Sequence, residues 1–337
     1  MAGVVMLALG PGRGPVTPMD LITAMTRPLG DLLVLAGVSG DPAVDDLVLL
    51  DEFGELHDAA LESGCEFVGE VLHMATAPAW LPRWSWMRAE QVEQAIFRKL
   101  VDGTDEQYRA SRRFLVEHPA GEFAALVAAA NESRAERVAP FVPLGPGQRF
   151  LAADDRLWWW PCPVCRWPMR VSRTECRCVY RPHRAVYDID ATRARPRLQS
   201  RAGAPRPPAV LPVTEMTKRV EESVWRYITV PGSTELRLAE HLRGLGATVT
   251  EWPDHDSCDL LVETQAGGHL RIEIKEYTSV DQLVERLRTS PPRADVLVVP
   301  DTHRQQCRVL RDALPGLDVW LPAQLSRRVA LMVKEST

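Results

Sequence analysis

Residues 257–277, SCDLLVETQAGGHLRIEIKEY, constrain the fold of this chain more than any other stretch. Two alternating apolar runs flank Gly267-Gly268, a pattern that predicts two strands joined by a tight turn. Strand side chains alternate faces with period two. Glu273 and Lys275 therefore share one face, while Ile272 and Ile274 point to the core, and Asp259 can sit across from Glu273 on the neighbouring strand. A helix is expected over 280–288, then the apolar run at 296–299, whose composition implies a strand covered on both faces. A helix over 304–314 and a short strand over 319–321 follow. Upstream, Ser233 or Thr234 caps a helix whose leucines at 236, 238 and 242 face a core, and a strand is expected just after position 246. The order α-β-β-β-α-β-α-β defines an α/β fold: a mixed sheet flanked by helices.

The polar face of the expected hairpin carries two acids and a lysine. Phosphodiester hydrolysis needs an activated water, neutralisation of charge on the phosphoryl oxygens and help for the leaving oxygen. A hard cation such as Mg²⁺ or Mn²⁺ supplies much of this from one or two carboxylates plus other oxygens. Asp259 and Glu273 are the candidate carboxylates, the Ile274 carbonyl is a third oxygen, and Lys275 can serve the attacking water. Two carboxylates about 4 Å apart repel by roughly 4 kcal/mol at an effective dielectric near 20, so the pair favours a bound cation. The competing reading is a solvated strand face with Asp259 as a strand-start cap.

In this order of elements, Glu235, Asp259 and Glu273-Ile274-Lys275 resemble the PD-(D/E)xK restriction-endonuclease-like nucleases. The resemblance implies that Asp259 and Glu273 bind metal, that Lys275 serves the water and that Glu235 joins the metal shell from the preceding helix. Asp254, in the literal Pro-Asp, lies upstream of the strand and is not the expected motif aspartate. Asp256 is a further candidate.

Four of the seven cysteines cluster between Cys162 and Cys178, which indicates intracellular metal ligation rather than a disulfide framework. Cys162-Pro-Val-Cys165 supplies two ligands for a tetrahedral Zn²⁺. Cys176 is taken as the third, with Cys178 or His183 as the fourth. No acid or water-activating group accompanies them, so the metal is expected to be structural. Arg166, Arg170, Arg173 and Arg177 form a basic set suited to nucleic-acid phosphates. Trp158, Trp159, Trp160 and Trp167 are expected to pack the module against a neighbour.

With 337 residues and a net charge of -5, the chain is long enough for several domains, and any contact with nucleic acid must be local. The expected segments are a mainly helical region over 1–150, a zinc-ribbon-like module over 151–190, a Pro- and Arg-rich linker over 191–213 and the nuclease-like domain over 214–337. Helices are expected over 90–101, from the Thr104/Gln107 capping box to Pro119, over 122–137, and over 214–228, the last ended by Pro231-Gly232. No apolar run reaches the length of a membrane span, and no basic segment precedes the first apolar residues; a cytoplasmic location is expected.

YRASRRFLVEHP, WWWPCPVCRWPMR, WPDHDSCDLLVE and RIEIKEY together resemble the REase component of the prokaryotic PIWI (pPIWI-RE) three-gene defence system. That resemblance implies action on DNA or an RNA–DNA hybrid against invading nucleic acid, with a PIWI-like protein and a DinG-type helicase as partners. The alternatives are a catalytically inactive adaptor that binds nucleic acid or a partner, and a transcription regulator built on the cysteine cluster.

Overall fold

The computed structural model describes residues 17–35, 45–51, 54–57, 60, 96–98, 100–101, 103–136, 140–265, 267–275 and 280–334. Part of the helix expected over 90–101 lies outside the described residues. In the N-terminal region α1 (Pro18–Met25), α2 (Leu29–Leu35), α3 (Asp105–Glu117) and α4 (Phe123–Glu132) are helical. The capping box at the start of α3 forms as expected: the Thr104 hydroxyl accepts from the Gln107 N–H, and the Gln107 side chain accepts from the Thr104 N–H. Tyr108, Arg112, Phe114 and Leu115 lie on its buried side.

β1 (Ala120–Glu122) and β2 (Phe141–Pro143) flank a later strand, described below. β3 (Phe150–Leu151) and β4 (Leu157–Trp159) lead into the cysteine module. There β5 (Arg170–Val171), β6 (Glu175–Arg177), β7 (Val186–Asp190) and β8 (Arg197–Ser200) form an antiparallel sheet in that order. β8 lies within the stretch expected to be an irregular linker. So does all of β9 (Leu211–Pro212), which pairs with β4. Leu198 and Val210 are buried, and these two side chains give the Pro- and Arg-rich segment a reason to dock. Both strands end their sheets, where proline and charge are tolerated.

The helix expected over 214–228 is also corrected. β10 (Thr217–Val220) runs between β1 and β2, and helical structure begins only at Glu222. It does not stop at Pro231. Proline lacks an N–H, and its ring would meet the carbonyl four residues back; the chain widens into a π turn over Trp225–Thr229, with the Val230 N–H donating to the Trp225 carbonyl. α5 (Val230–Gly244) continues directly from it. Gly232 packs against α3 so closely that a Cβ would lie 2.3 Å from Val116 Cγ2, and the Thr229 hydroxyl donates to the Leu115 carbonyl.

The C-terminal sheet has the expected mixed topology. β11 (Thr248–Glu251), β12 (Leu260–Glu263), β13 (His269–Ile274), β14 (Val296–Val298) and β15 (Asp318–Trp320) lie side by side in sequence order. The first three are antiparallel and the last three parallel. α6 (Val280–Thr289) and α7 (Gln306–Ala313) make the crossovers. Leu238, Leu242, Leu325 and Val329 cover one face, while Leu283, Leu287 and Leu310 cover the other. Leu325 and Val329 belong to α8 (Pro322–Lys334), a closing helix that the sequence reading did not include.

Candidate functional site

Leu260 pairs with Ile272 in the antiparallel β12–β13 ladder, so continuing the register places Asp259 opposite Glu273. An Asp259 carboxylate oxygen accepts the Ile274 N–H at 2.5 Å. Lys275 Nζ lies 2.5 Å from Glu273 Oε1. Ile272 and Ile274 are buried on the other face, as period two requires. Burial raises the Asp259 carboxyl well above the usual range; Glu235 and Glu273 push the same way, and Lys275 opposes them. This is the electrostatic condition of a carboxylate pair that gains from a cation.

Glu235 is buried and committed elsewhere. The Arg112 guanidinium lies 3.0 Å from its carboxylate, and Trp252 Nε1 donates to the same oxygen at 2.5 Å. Arg112 also reaches Asp256 at 2.6 Å, donates to the Tyr108 hydroxyl at 2.8 Å and lies over the Trp252 ring at 4.6 Å. Burial raises the Glu235 carboxyl, and Arg112 acts against that shift. The sequence reading missed Arg112. Its signal was present: an arginine one turn after Tyr108 and three residues before Leu115, on the apolar side of a helix, needs a buried partner.

Asp256 closes a left-handed turn in which Asp254, His255 and Asp256 have φ of 50°, 55° and 74°. Asp and His tolerate this region better than most residues, and such strain persists where neighbours hold it. Here α3 and its approach supply the neighbours: Asp105 accepts the His255 N–H at 2.7 Å, and the His255 ring lies 2.9 Å from the Gly103 carbonyl. The aspartate expected to be secondary is therefore fixed beside the site by the N-terminal region.

The cysteine module gathers Cys162, Cys165, Cys178 and His183, whose ligand atoms all lie within 4.8 Å of one another. It is the one group of three or more His, Cys, Asp or Glu among the described residues that meets this spacing; the carboxylates around Asp259 do not. Cys162 Sγ and Cys178 Sγ are 3.6 and 3.4 Å from His183 Nδ1, and Cys165 Sγ is 4.0 Å from Cys178 Sγ. Tetrahedral Zn²⁺ with bonds of about 2.3 Å to sulfur and about 2.0 Å to nitrogen needs edges of about 3.8 and 3.6 Å, so the donor set fits. Burial pushes the Cys162 thiol up, but hydrogen bonds from Cys165, Cys178 and His183 prevail and hold it well below the usual range.

Cys178 and His183 thus both join the group, and Cys176 does not. The strand that carries Cys176 ends at Arg177, and Cys178 follows it on the loop that leads to His183. Cys176 lies within β6 opposite Tyr187, fully buried. Trp225 Nε1 lies 3.2 Å from Cys165 Sγ, and its ring stacks on Trp167 at 4.5 Å. The tryptophans pack as expected: Trp158, Trp159, Trp160 and Trp167 are all buried. Arg166 donates to the Glu117 carbonyl at the end of α3. Arg170 and Arg177 face each other across β5 and β6, and Arg173 is exposed.

The mixed sheet, its flanking helices and a Cys₃His group that could hold zinc define an α/β protein with a candidate metal centre. Residues 232–337 match the family described as REase associating with pPIWI_RE, and residues 1–122 match pPIWI_RE three-gene island domain Y. The chain is a pPIWI-RE system protein with an REase-associated domain. The Cys₃His group lies between the two matched stretches. No curated protein and no solved structure matches the chain. Among the described residues no helix is long and apolar enough to cross a membrane.

Proposed function

We propose that the C-terminal domain is a metal-dependent endonuclease acting on DNA or an RNA–DNA hybrid, within a system directed against invading nucleic acid. The observation that carries this reading is the Asp259–Glu273 juxtaposition with Lys275 beside it. Asp259, Glu273 and the Ile274 carbonyl are the groups that would hold Mg²⁺ or Mn²⁺, which when bound supplies charge neutralisation at the phosphoryl oxygens. Lys275 orients the attacking water or takes its proton. Glu235, engaged by Arg112 and Trp252, acts as a wall of the site rather than as a ligand. The three-gene island context supports companion proteins, for which a PIWI-like protein and a DinG-type helicase are the candidates.

Incubation with plasmid, single-stranded and hybrid substrates in Mg²⁺ or Mn²⁺ tests the proposal. Cleavage that falls by roughly a hundredfold or more in Lys275→Ala is expected; no cleavage of any substrate, or equal cleavage by the variant, overturns it. The engagement of one Glu235 oxygen by both Arg112 and Trp252 favours the second reading, an adaptor that binds nucleic acid without cutting it.

A further inference from the structure

A cavity of about 690 Å³ opens beside the Cys₃His group. Arg177, Arg181, Arg184 and Arg201 line it together with one acid, Glu175, and with Cys178 and the small residues of the 202–204 turn. Arg201 is held by Glu175 at 2.7 Å and Asp188 at 2.6 Å. Arg177 Nε lies 3.7 Å from Glu175. Among the described residues no acid pairs with Arg181 or Arg184. Both are exposed, and they flank the ligand His183 on the short 3₁₀ turn and its left-handed end, where Arg184 has φ 51°. The loop that carries His183 thus fixes two guanidinium groups without an acidic partner at the mouth of a concave site whose wall carries two further arginines, Arg177 and Arg201, each beside an acid.

We propose that this cavity grips the phosphodiester backbone of nucleic acid. Guanidinium forks match phosphate oxygens in paired hydrogen bonds. None of the lining residues is aromatic, so the site offers no ring on which a base could stack and reads phosphates without regard to sequence. Its volume admits more than a single phosphate. The assignment deepens the nucleic-acid reading given above but does not require cleavage, and it moves the grip from Arg166, Arg170 and Arg173 to the Arg177, Arg181, Arg184 and Arg201 cavity.

The test is fluorescence anisotropy of a labelled oligonucleotide with the full-length zinc-loaded chain, without added Mg²⁺ or Mn²⁺, so that binding is read apart from hydrolysis. Arg181→Ala/Arg184→Ala should weaken binding by roughly tenfold or more and flatten the slope of log K against log salt by about 1.4 for a single strand, with zinc content unchanged. Ala202→Glu, which leaves both arginines in place and adds a carboxylate to the cavity, should weaken binding in the same direction. Wild-type affinity and salt slope in both variants would overturn the proposal. Competition by inorganic phosphate or a free nucleotide as effective, per phosphate, as competition by unlabelled oligonucleotide would also overturn it, assigning the cavity to a small phosphorylated ligand.

Discussion

Arg112 is the residue on which the candidate site leans most. Its charge is buried between Glu235 and Asp256, and removing one member of a buried ion pair leaves the others desolvated without compensation. Arg112→Met should cost about 3–5 kcal/mol of stability in urea denaturation, and Glu235→Gln added to it should recover part of that loss; a cost below about 1 kcal/mol would mean that the acids are not compensated by Arg112. The placement of Asp259, Glu273 and Lys275 on one face was legible from spacing alone, because strand alternation maps sequence directly onto faces. For Arg112 the helix face signals that a buried partner is needed but not which one, because Glu235 and Asp256 lie 123 and 144 positions away and only tertiary packing brings them together.

At the scale of elements, the sequence reading was right where periodicity is strong and local, as in α3 and the β11–β15 sheet. It was wrong where an edge or a neighbour decides. β8 and β9 form in a Pro- and Arg-rich stretch because each needs pairing on one side only. The helix through Pro231 survives because the π turn absorbs the clash that proline would otherwise cause. Gly232 then does in that helix what no other residue can. Alanine would gain about 1 kcal/mol in helix propensity, but its Cβ would overlap Val116, a strain of about 1–3 kcal/mol. Gly232→Ala should therefore lower the thermal midpoint, and Val116→Ala combined with it should restore part of the loss; an unchanged or higher midpoint in the single variant would contradict the close α3–α5 contact.

The zinc knuckles carry the same lesson. Cys176 was expected as the third ligand with Cys178 or His183 as the fourth, yet Cys176 lies in strand β6, outside the group that Cys178 and His183 complete together. Cys176→Ala should retain one equivalent of zinc by metal analysis, whereas Cys178→Ser and His183→Ala should lose most of it. Zinc lost on Cys176→Ala but kept on His183→Ala would restore Cys176 as the third ligand.

At the scale of the whole molecule, the described N-terminal helix α3, the cysteine module and the π turn before α5 share one core. α3 also supplies Arg112, Arg113 and Asp105 to residues around the C-terminal site. The segments legible as separate in composition are thus physically interlocked at the site, and composition carries no information about docking. This arrangement holds Asp259 in a buried, acid-rich position that is unfavourable for its charge. A carboxyl whose folded pKa exceeds its unfolded one contributes stability below the unfolded value, and loses it as pH rises toward the folded value. The metal-free fold is therefore less favoured at this site as pH rises above the ordinary carboxylate range, and a cation would offset that loss.

Titration calorimetry of Mn²⁺ into the zinc-loaded chain measures that need directly. Binding should tighten as pH rises from the ordinary carboxylate range toward the raised Asp259 value and its proton ceases to compete, and it should be lost in Asp259→Asn. Binding that is independent of pH across this range, or unchanged in Asp259→Asn, would contradict a metal site built on Asp259 and Glu273.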